Sequence, residues 1–124
     1  MRWLFLLPAC GLAGCAPPVA QAAVDFERVT AGRMAGPAQG CIATNSNDTL
    51  RAVDSMTLVY GSGSTIYINR LGAICPGLQD LSTIAIDGSN GNYCRGDRIR
   101  PLAPGSVIAG PTCNLGQWVP YRSR

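Results

Sequence analysis

A cysteine that could carry a lipid follows a short apolar run near the start of the chain. Residues 12–15 read Leu-Ala-Gly-Cys, an aliphatic residue and two small residues before a cysteine, which is the pattern that lipoprotein signal peptidases recognise. In such a box the cysteine thiol is joined to a diacylglycerol whose acyl chains, palmitate among them, anchor the protein to a membrane. The pattern predicts a signal peptide over residues 1–14 and a lipidated Cys15 as the first residue of the mature protein.

The residues around this box favour export over a membrane-spanning helix. Arg2 precedes an apolar run, Trp3–Leu12, that is much shorter than the roughly 20 residues needed to cross a bilayer. Cys10 lies within this run and would be removed with the leader. Ala16 rather than Asp follows the lipidated cysteine, which in a Gram-negative cell predicts an outer-membrane lipoprotein facing the periplasm. As an alternative, Ala20-Gln21-Ala22 matches an ordinary signal peptidase site, whose use would release a soluble periplasmic protein.

Four further cysteines could form disulfides. They are Cys41, Cys75, Cys94 and Cys113, and an even number in a small exported domain predicts two bridges. Four cysteines allow three pairings, and we favour Cys75–Cys94 with Cys41–Cys113, which places a middle hairpin inside a link between the two ends of the domain. A zinc site is not expected, because the chain has no Cys-x-x-Cys pair and no His. No cofactor is predicted.

The residues that most hydrolytic mechanisms require are missing from the composition. The chain has no His, and its 10 basic residues are all Arg, so it cannot assemble a Ser-His-Asp triad, a Cys-His pair or a Ser-Lys dyad. Carboxylates alone could act as they do in glycosidases, but their spacing brings no two of them together. These carboxylates are Asp54, Asp80, Asp87 and Asp97. We therefore predict that the protein is not an enzyme and assign no catalytic residue, with a carboxylate-dependent hydrolase as an alternative.

Arginines are concentrated toward the C-terminal end of the chain, where Asp97 is the one acidic residue after Gly88. Arg95, Arg98 and Arg100 are the candidate anion-binding residues, which could meet lipopolysaccharide or another anionic polymer of the envelope. The alternative is an ordinary solvated face. Aromatic residues make up 6% of the chain and are not interleaved with the arginines, so nucleic acid binding is not expected.

Short β-strands joined by turns must position these side chains. Met56–Tyr60 and Ser64–Asn69 are rich in β-branched and aromatic residues and flank a Gly-Ser-Gly turn, which predicts a hairpin. Ser82–Asp87 is a third strand, which a turn at Asn90-Gly91 would return to Tyr93-Cys94. Further candidate strands are Leu50–Val53, Arg98–Arg100, Val107–Ala109 and Gln117–Val119.

The composition divides the mature chain into two parts. Residues 15–39 are rich in Ala, Pro and Gly and predict a flexible tether, with a short strand or turn at residues 24–29. Residues 40–124 predict one β-rich domain, small enough to need disulfides. Short strands, frequent turns and the lack of a sustained helical period predict an all-β fold, a small antiparallel sandwich or barrel.

Several segments give this domain a resemblance to a known group of proteins. They are Asn69-Arg70-Leu71, Cys75-Pro76-Gly77-Leu78, Cys94-Arg95-Gly96-Asp97 and Cys113-Asn114-Leu115-Gly116-Gln117-Trp118-Val119-Pro120, with Cys41-Ile42 as the opening landmark. In these segments the chain resembles a family of small exported proteobacterial proteins of unknown function, many of them predicted lipoproteins, in which we expect Phe at the place of Trp118. The resemblance implies export, disulfides and a β-rich domain, and it implies no catalytic residue.

The glycine-rich turn offers a second likeness. Residues 61–67 are similar, one residue out of register, to the Ser-Gly-Ser-Gly-x-x-Tyr loop of lipid-anchored lysozyme inhibitors. An inhibitor of this kind would need Ser62 and Tyr67 exposed at one loop. The sequence thus predicts a non-enzymatic binding or maintenance protein of the cell envelope, held at the membrane through Cys15 and with an unidentified ligand. A periplasmic inhibitor of a cell-wall hydrolase such as lysozyme is the alternative.

Overall fold

The computed structural model describes residues 25–87 and 91–124. Within them, residues 25–30 form a short helix, α1, and ten strands follow, each paired strand running antiparallel to its neighbour. The strands are β1 (Arg33–Ala35), β2 (Cys41–Ala43), β3 (Leu50–Asp54), β4 (Thr57–Tyr60), β5 (Thr65–Arg70), β6 (Thr83–Asp87), β7 (Asn92–Cys94), β8 (Arg98–Leu102), β9 (Cys113–Asn114) and β10 (Trp118–Ser123). The predicted all-β antiparallel fold with two disulfides is confirmed.

The largest sheet has five strands in the order β1-β10-β5-β4-β3. Its centre is the predicted hairpin, in which Tyr60 of β4 lies opposite Tyr67 of β5. Gly61 and Gly63 in the connecting loop have φ angles of 89° and 91°, which residues with a Cβ atom rarely adopt. β10 pairs with the other edge of β5, so the last strand of the chain completes the centre of the sheet.

The two faces of this sheet fill separate cores. Successive side chains of a strand point to opposite faces, so Leu58 of β4 belongs to the main core and Val59 to the second one. Trp118 is the largest fully buried side chain of the main core. The second core consists of Val59, Ile66 and Ile68, with Phe26, Val29, Val53 and Tyr121 packed against them. Because both faces are covered, all four residues of β4 are buried.

The structure corrects the boundary between the predicted tether and the domain. Of the segment 15–39, residues 25–39 belong to the folded domain, since α1 covers the second core and β1 pairs with β10. Phe26 and Val29 supply apolar surface that favours this docking. Residues 1–24, with the predicted signal peptide and Cys15, lie outside the described residues. In the described part of the chain, no helix has the length and apolarity to cross a membrane.

Two smaller sheets, β2-β7 and β6-β8-β9, complete the domain. The predicted hairpin from β6 to β7 was wrong: β6 pairs with β8, and β7 pairs with β2. Pairing with β8 places Ile86 opposite Ile99, which is fully buried, and this cross-strand contact outweighs the local turn preference. Residues 88–90 of the predicted turn lie outside the described residues.

Burial raises the pKa of Tyr93 in β7, and the nearby Tyr60 raises it further.

The predicted strand Val107–Ala109 was also wrong. In the structure these residues belong to the loop between β8 and β9, and Val107 is 93% exposed. β-branched residues favour a strand chiefly where neighbouring side chains cover them. Pro104 and Pro111 flank the segment and remove backbone donors that a ladder would need.

The two disulfides join Cys41 to Cys94 and Cys75 to Cys113. The predicted pairing of Cys75 with Cys94 and of Cys41 with Cys113 was wrong. Cys41 and Cys94 face each other across β2 and β7 with their Cα atoms 4.0 Å apart, and this register depends on a strand pairing that the cysteine spacing does not reveal.

We expect the two disulfides to differ in how readily they are reduced. They close loops of 53 and 38 residues, for which chain entropy gives each about 4 kcal/mol of stabilisation, so accessibility should decide. Cys41 is exposed, whereas Cys75 is fully buried. Graded dithiothreitol under native conditions, followed by alkylation and peptide mass spectrometry, should label Cys41 and Cys94 first. Equal labelling of both pairs at every dose would contradict this expectation.

Candidate anion-binding groove

The structure separates the three arginines that the sequence grouped together. Arg98 and Arg100 are alternate residues on the exposed face of β8. Arg95 lies in the turn before that strand and lines a groove to which Arg98 and Arg100 do not contribute. Of the three arginines predicted to bind anions, only Arg95 lines this groove, and it does so together with another arginine as its partner.

That partner is Arg70, the last residue of β5. Both arginines line an open groove with a volume of about 440 Å³, which we call the arginine groove. Its polar and small lining residues are Arg70, Gly72, Arg95, Gly116, Gln117 and Tyr121. The two arginines thus line one space although 25 positions separate them in the sequence.

A buried asparagine holds one wall of the groove. Asn69 is 0% exposed; its Nδ2 donates to the carbonyl oxygen of Gly116 and its Oδ1 accepts from the amide nitrogen of Gly116, each at 2.8 Å. The side chain thereby satisfies backbone groups that would otherwise be unpaired. A Cβ atom at position 116 would lie 2.7 Å from the carbonyl oxygen of Arg70, so glycine is required this close to β5.

Arg70 is held from the other side by α1. Its Cζ atom lies 4.3 Å from the centroid of the Phe26 ring, and Phe26 in turn packs edge-on against Tyr121 at 6.0 Å between centroids. An aromatic ring attracts a guanidinium through its face and leaves the N–H groups free to donate. The contact therefore restrains Arg70 without using its hydrogen-bond donors.

Arg95 is presented by a turn whose acidic residue is already engaged. Asp97 Oδ2 accepts from the amide nitrogen of Cys94 at 2.8 Å, and the Asp97 amide donates to the Cys94 carbonyl at 3.0 Å. Gly96 has a φ angle of 88° and donates its amide to Leu115. The Arg-Gly-Asp sequence is thus a structural turn that directs Arg95 to the groove.

Within residues 25–87 and 91–124, neither arginine of the groove forms an ion pair with an acidic side chain. Among the described residues, the one ion pair joins Arg28 to Asp25 at 3.6 Å. Arg70 and Arg95 have no carboxylate oxygen within 4.0 Å in that part of the chain. Arginine forms strong, charge-assisted hydrogen bonds with oxyanions, so the arginine groove is suited to an anionic group.

The groove continues into a more apolar stretch. A neighbouring hollow of about 600 Å³ shares Gly72, Arg95 and Gly116 with the arginine groove. Its remaining lining is mostly apolar and includes Leu71, Ile74, Pro76, Pro111 and Leu115. We call this stretch the apolar arm, and Arg95 stands at its junction with the arginine groove.

The residues of the alternative functions that the structure describes in detail have other surroundings. Ser62 is exposed in the glycine-rich loop, but Tyr67 is half-buried and packs against the main core, so the two do not form one exposed contact. Asp54 accepts from the amide nitrogen of Met56 at 2.7 Å and therefore serves its own turn, as Asp97 does. Within the described ranges, no three residues among His, Cys, Asp and Glu come close enough to hold a metal ion.

Sequence reasoning missed Arg70 and Phe26 as site residues. Arg70 stands outside the C-terminal arginine cluster, and Phe26 lies in the segment predicted as a tether. Asn69-Arg70-Leu71 was one of the segments behind the family resemblance. This segment meets Pro76, Arg95 and Gly116 from the other segments at the arginine groove and its apolar arm. Only the fold reveals that convergence.

Comparison of the chain with models of protein families, with curated proteins and with solved structures finds no match. The family resemblance of the sequence therefore stays a prediction. The functional interpretation rests on the geometry of the arginine groove.

Proposed function

We propose that this protein is a non-enzymatic binding module of the cell envelope that is anchored to the outer membrane by a lipid on Cys15 and captures an anionic group in the arginine groove. The observation that carries the proposal is the pair of arginines, Arg70 and Arg95, that line one groove without an acidic partner among the described residues. Two such cations attract anions and can hydrogen-bond them through several N–H donors.

The disulfides support a location outside the cytoplasm. Paired cysteines form and persist in oxidising compartments such as the periplasm, and both bridges join elements of the folded domain. The first described residue, Asp25, is ten positions after Cys15, and even a fully extended chain over ten positions reaches at most about 35 Å. A lipid on Cys15 would hold the groove near the membrane surface.

The anchor is tested by metabolic labelling with radioactive palmitate. The wild-type chain should incorporate the label and sediment with membranes, whereas Cys15→Ser should lose both properties, because the acceptor thiol is gone. Cys10→Ser is the matched control and should be labelled like the wild type. Labelling of the Cys15→Ser variant would contradict the anchor, and a wild-type chain that takes up no label would favour cleavage after Ala22.

The groove is tested by titrating inorganic phosphate into the ¹⁵N-labelled full chain carrying Cys15→Ser and recording NMR spectra. Phosphate should shift the amide signals of Gly116 and Gln117, and Arg95→Gln should weaken its apparent affinity at least about tenfold, since a hydrogen bond to a charged group contributes about 1.5–3 kcal/mol. Arg98→Gln removes the same charge outside the groove and should retain the binding. Equal weakening by both variants would indicate nonspecific electrostatic attraction and contradict the site.

A further inference from the structure

The junction at Arg95 joins two chemically different surfaces. On one side the arginine groove is lined by Arg70 and Arg95 together with Gln117 and Tyr121. On the other side the apolar arm presents Ile74, which is 59% exposed. A ligand that fills both must carry a charged group and an apolar group side by side.

The apolar arm is built on a restrained backbone. Cys75 follows Ile74, is fully buried, is bridged to Cys113, and donates its amide to the carbonyl oxygen of Ser55 at 2.8 Å. Pro76 and Pro111 have fixed φ angles and line the same arm. The exposed Ile74 side chain therefore projects from a rigid backbone. When an apolar group of a ligand covers Ile74, the protein loses little conformational entropy.

The paired arginines favour a phosphate over a carboxylate. A single guanidinium can satisfy both oxygens of a carboxylate through a bidentate contact. A phosphate monoester has three free oxygens and a charge of about −1.5 to −2 at neutral pH, which matches two guanidinium groups. The charge of Arg70 and Arg95 and the donors of Gln117 complement such a headgroup.

We propose that the groove binds an amphiphilic phosphate monoester, with the phosphate between Arg70 and Arg95 and an alkyl chain along the apolar arm over Ile74. The occupant is a membrane-derived lipid of this chemistry. This inference rests on the proposed function, because it assigns the ligand class of the same groove.

The experiment compares three small probes by calorimetric and NMR titration of the full chain carrying Cys15→Ser. They are octyl phosphate below its micelle concentration, inorganic phosphate as the headgroup alone, and octyl glucoside as an uncharged molecule with the same chain. Octyl phosphate should bind at least about tenfold more tightly than inorganic phosphate. A tenfold difference in affinity corresponds to about 1.4 kcal/mol, and the burial of two methylene groups is enough to supply it.

Two matched variants separate the apolar arm from general hydrophobic attraction. Ile74→Ser should remove most of the advantage of octyl phosphate and leave the affinity for inorganic phosphate unchanged. Met34→Ser, at a side chain that is 60% exposed on β1 and outside the groove, should leave both affinities unchanged. Arg95→Gln should weaken the binding of both phosphates.

The outcomes distinguish this inference from the proposed function. Equal affinities for octyl phosphate and inorganic phosphate, both weakened by Arg95→Gln, would overturn the amphiphilic ligand and leave the anion-binding groove in place. Equal affinities for octyl phosphate and octyl glucoside would overturn both, because the charge would then contribute nothing. An unchanged preference for octyl phosphate in Ile74→Ser, or its loss in Met34→Ser, would overturn the assignment of the alkyl chain to the apolar arm.

Discussion

Replacement of Trp118 by Ala should lower the free energy of unfolding by about 3–5 kcal/mol, the range typical of large aromatic side chains removed from a core. Trp118 is 0% exposed and belongs to the main core. It begins β10, where it pairs with Asn69 of β5 and exchanges two backbone hydrogen bonds with Gln39. The cavity would lie where the large sheet meets the segment before β2. A domain of this size has about 5–15 kcal/mol of stability in total. Urea denaturation monitored by circular dichroism should therefore show a much lower midpoint concentration for the variant.

Trp118→Phe is the matched control and should change the stability far less. The Nε1 atom of Trp118 is buried and has no hydrogen-bond partner in the described structure. Phe keeps most of the ring volume and removes this unsatisfied donor, and the relief of about 1–3 kcal/mol from that removal offsets part of the lost packing. A loss in Trp118→Phe as large as that in Trp118→Ala would show that the indole group itself is required.

Replacement of Asn69 by Ala should destabilise the domain by about 3 kcal/mol and also weaken the arginine groove. The change removes both hydrogen bonds to Gly116 and leaves the half-buried N–H and C=O groups of that residue without these partners, at about 1.5 kcal/mol each. Without them, the segment with Gln117 is no longer held beside Arg70. Thermal denaturation measures the first effect, and phosphate titration below the unfolding temperature measures the second.

The control for this variant is Asn92→Ala, at an exposed position of β7. It removes the same side chain from a strand surface and should change stability by no more than about 0.5 kcal/mol. If Asn69→Ala also changed the stability by no more than about 0.5 kcal/mol, the structural role of the buried Asn69 amide would be contradicted. Full phosphate affinity in a folded Asn69→Ala protein would show that the groove does not need this wall.

The local parts of the fold could be predicted from the sequence because neighbouring residues decide them. The β4–β5 hairpin follows from two apolar β-rich segments around glycines that accept positive φ angles. The strand pattern and the even number of cysteines likewise depend on composition and spacing. The partners of β6 and β7 could not be predicted, because each is chosen by contacts with distant strands.

The candidate site was less accessible to prediction than the fold. Arg95 stood out as part of a basic segment, but its neighbours Arg98 and Arg100 lie on another surface. Arg70 lines the same groove as Arg95 together with Gly116, which Asn69 holds through two hydrogen bonds. A charge cluster in the sequence is a cluster in space only if the strand directions keep its members together.

By itself, the sequence determined the features that depend on residue type and short spacing: an antiparallel all-β domain and two disulfides formed by Cys41, Cys75, Cys94 and Cys113. Tertiary structure alone decided which cysteines pair, where α1 docks and which arginines share a groove. These outcomes depend on contacts between residues far apart in the chain. These contacts are stabilised by buried apolar surface and by buried polar groups that pair across strands. Local sequence patterns do not specify which distant segments will meet.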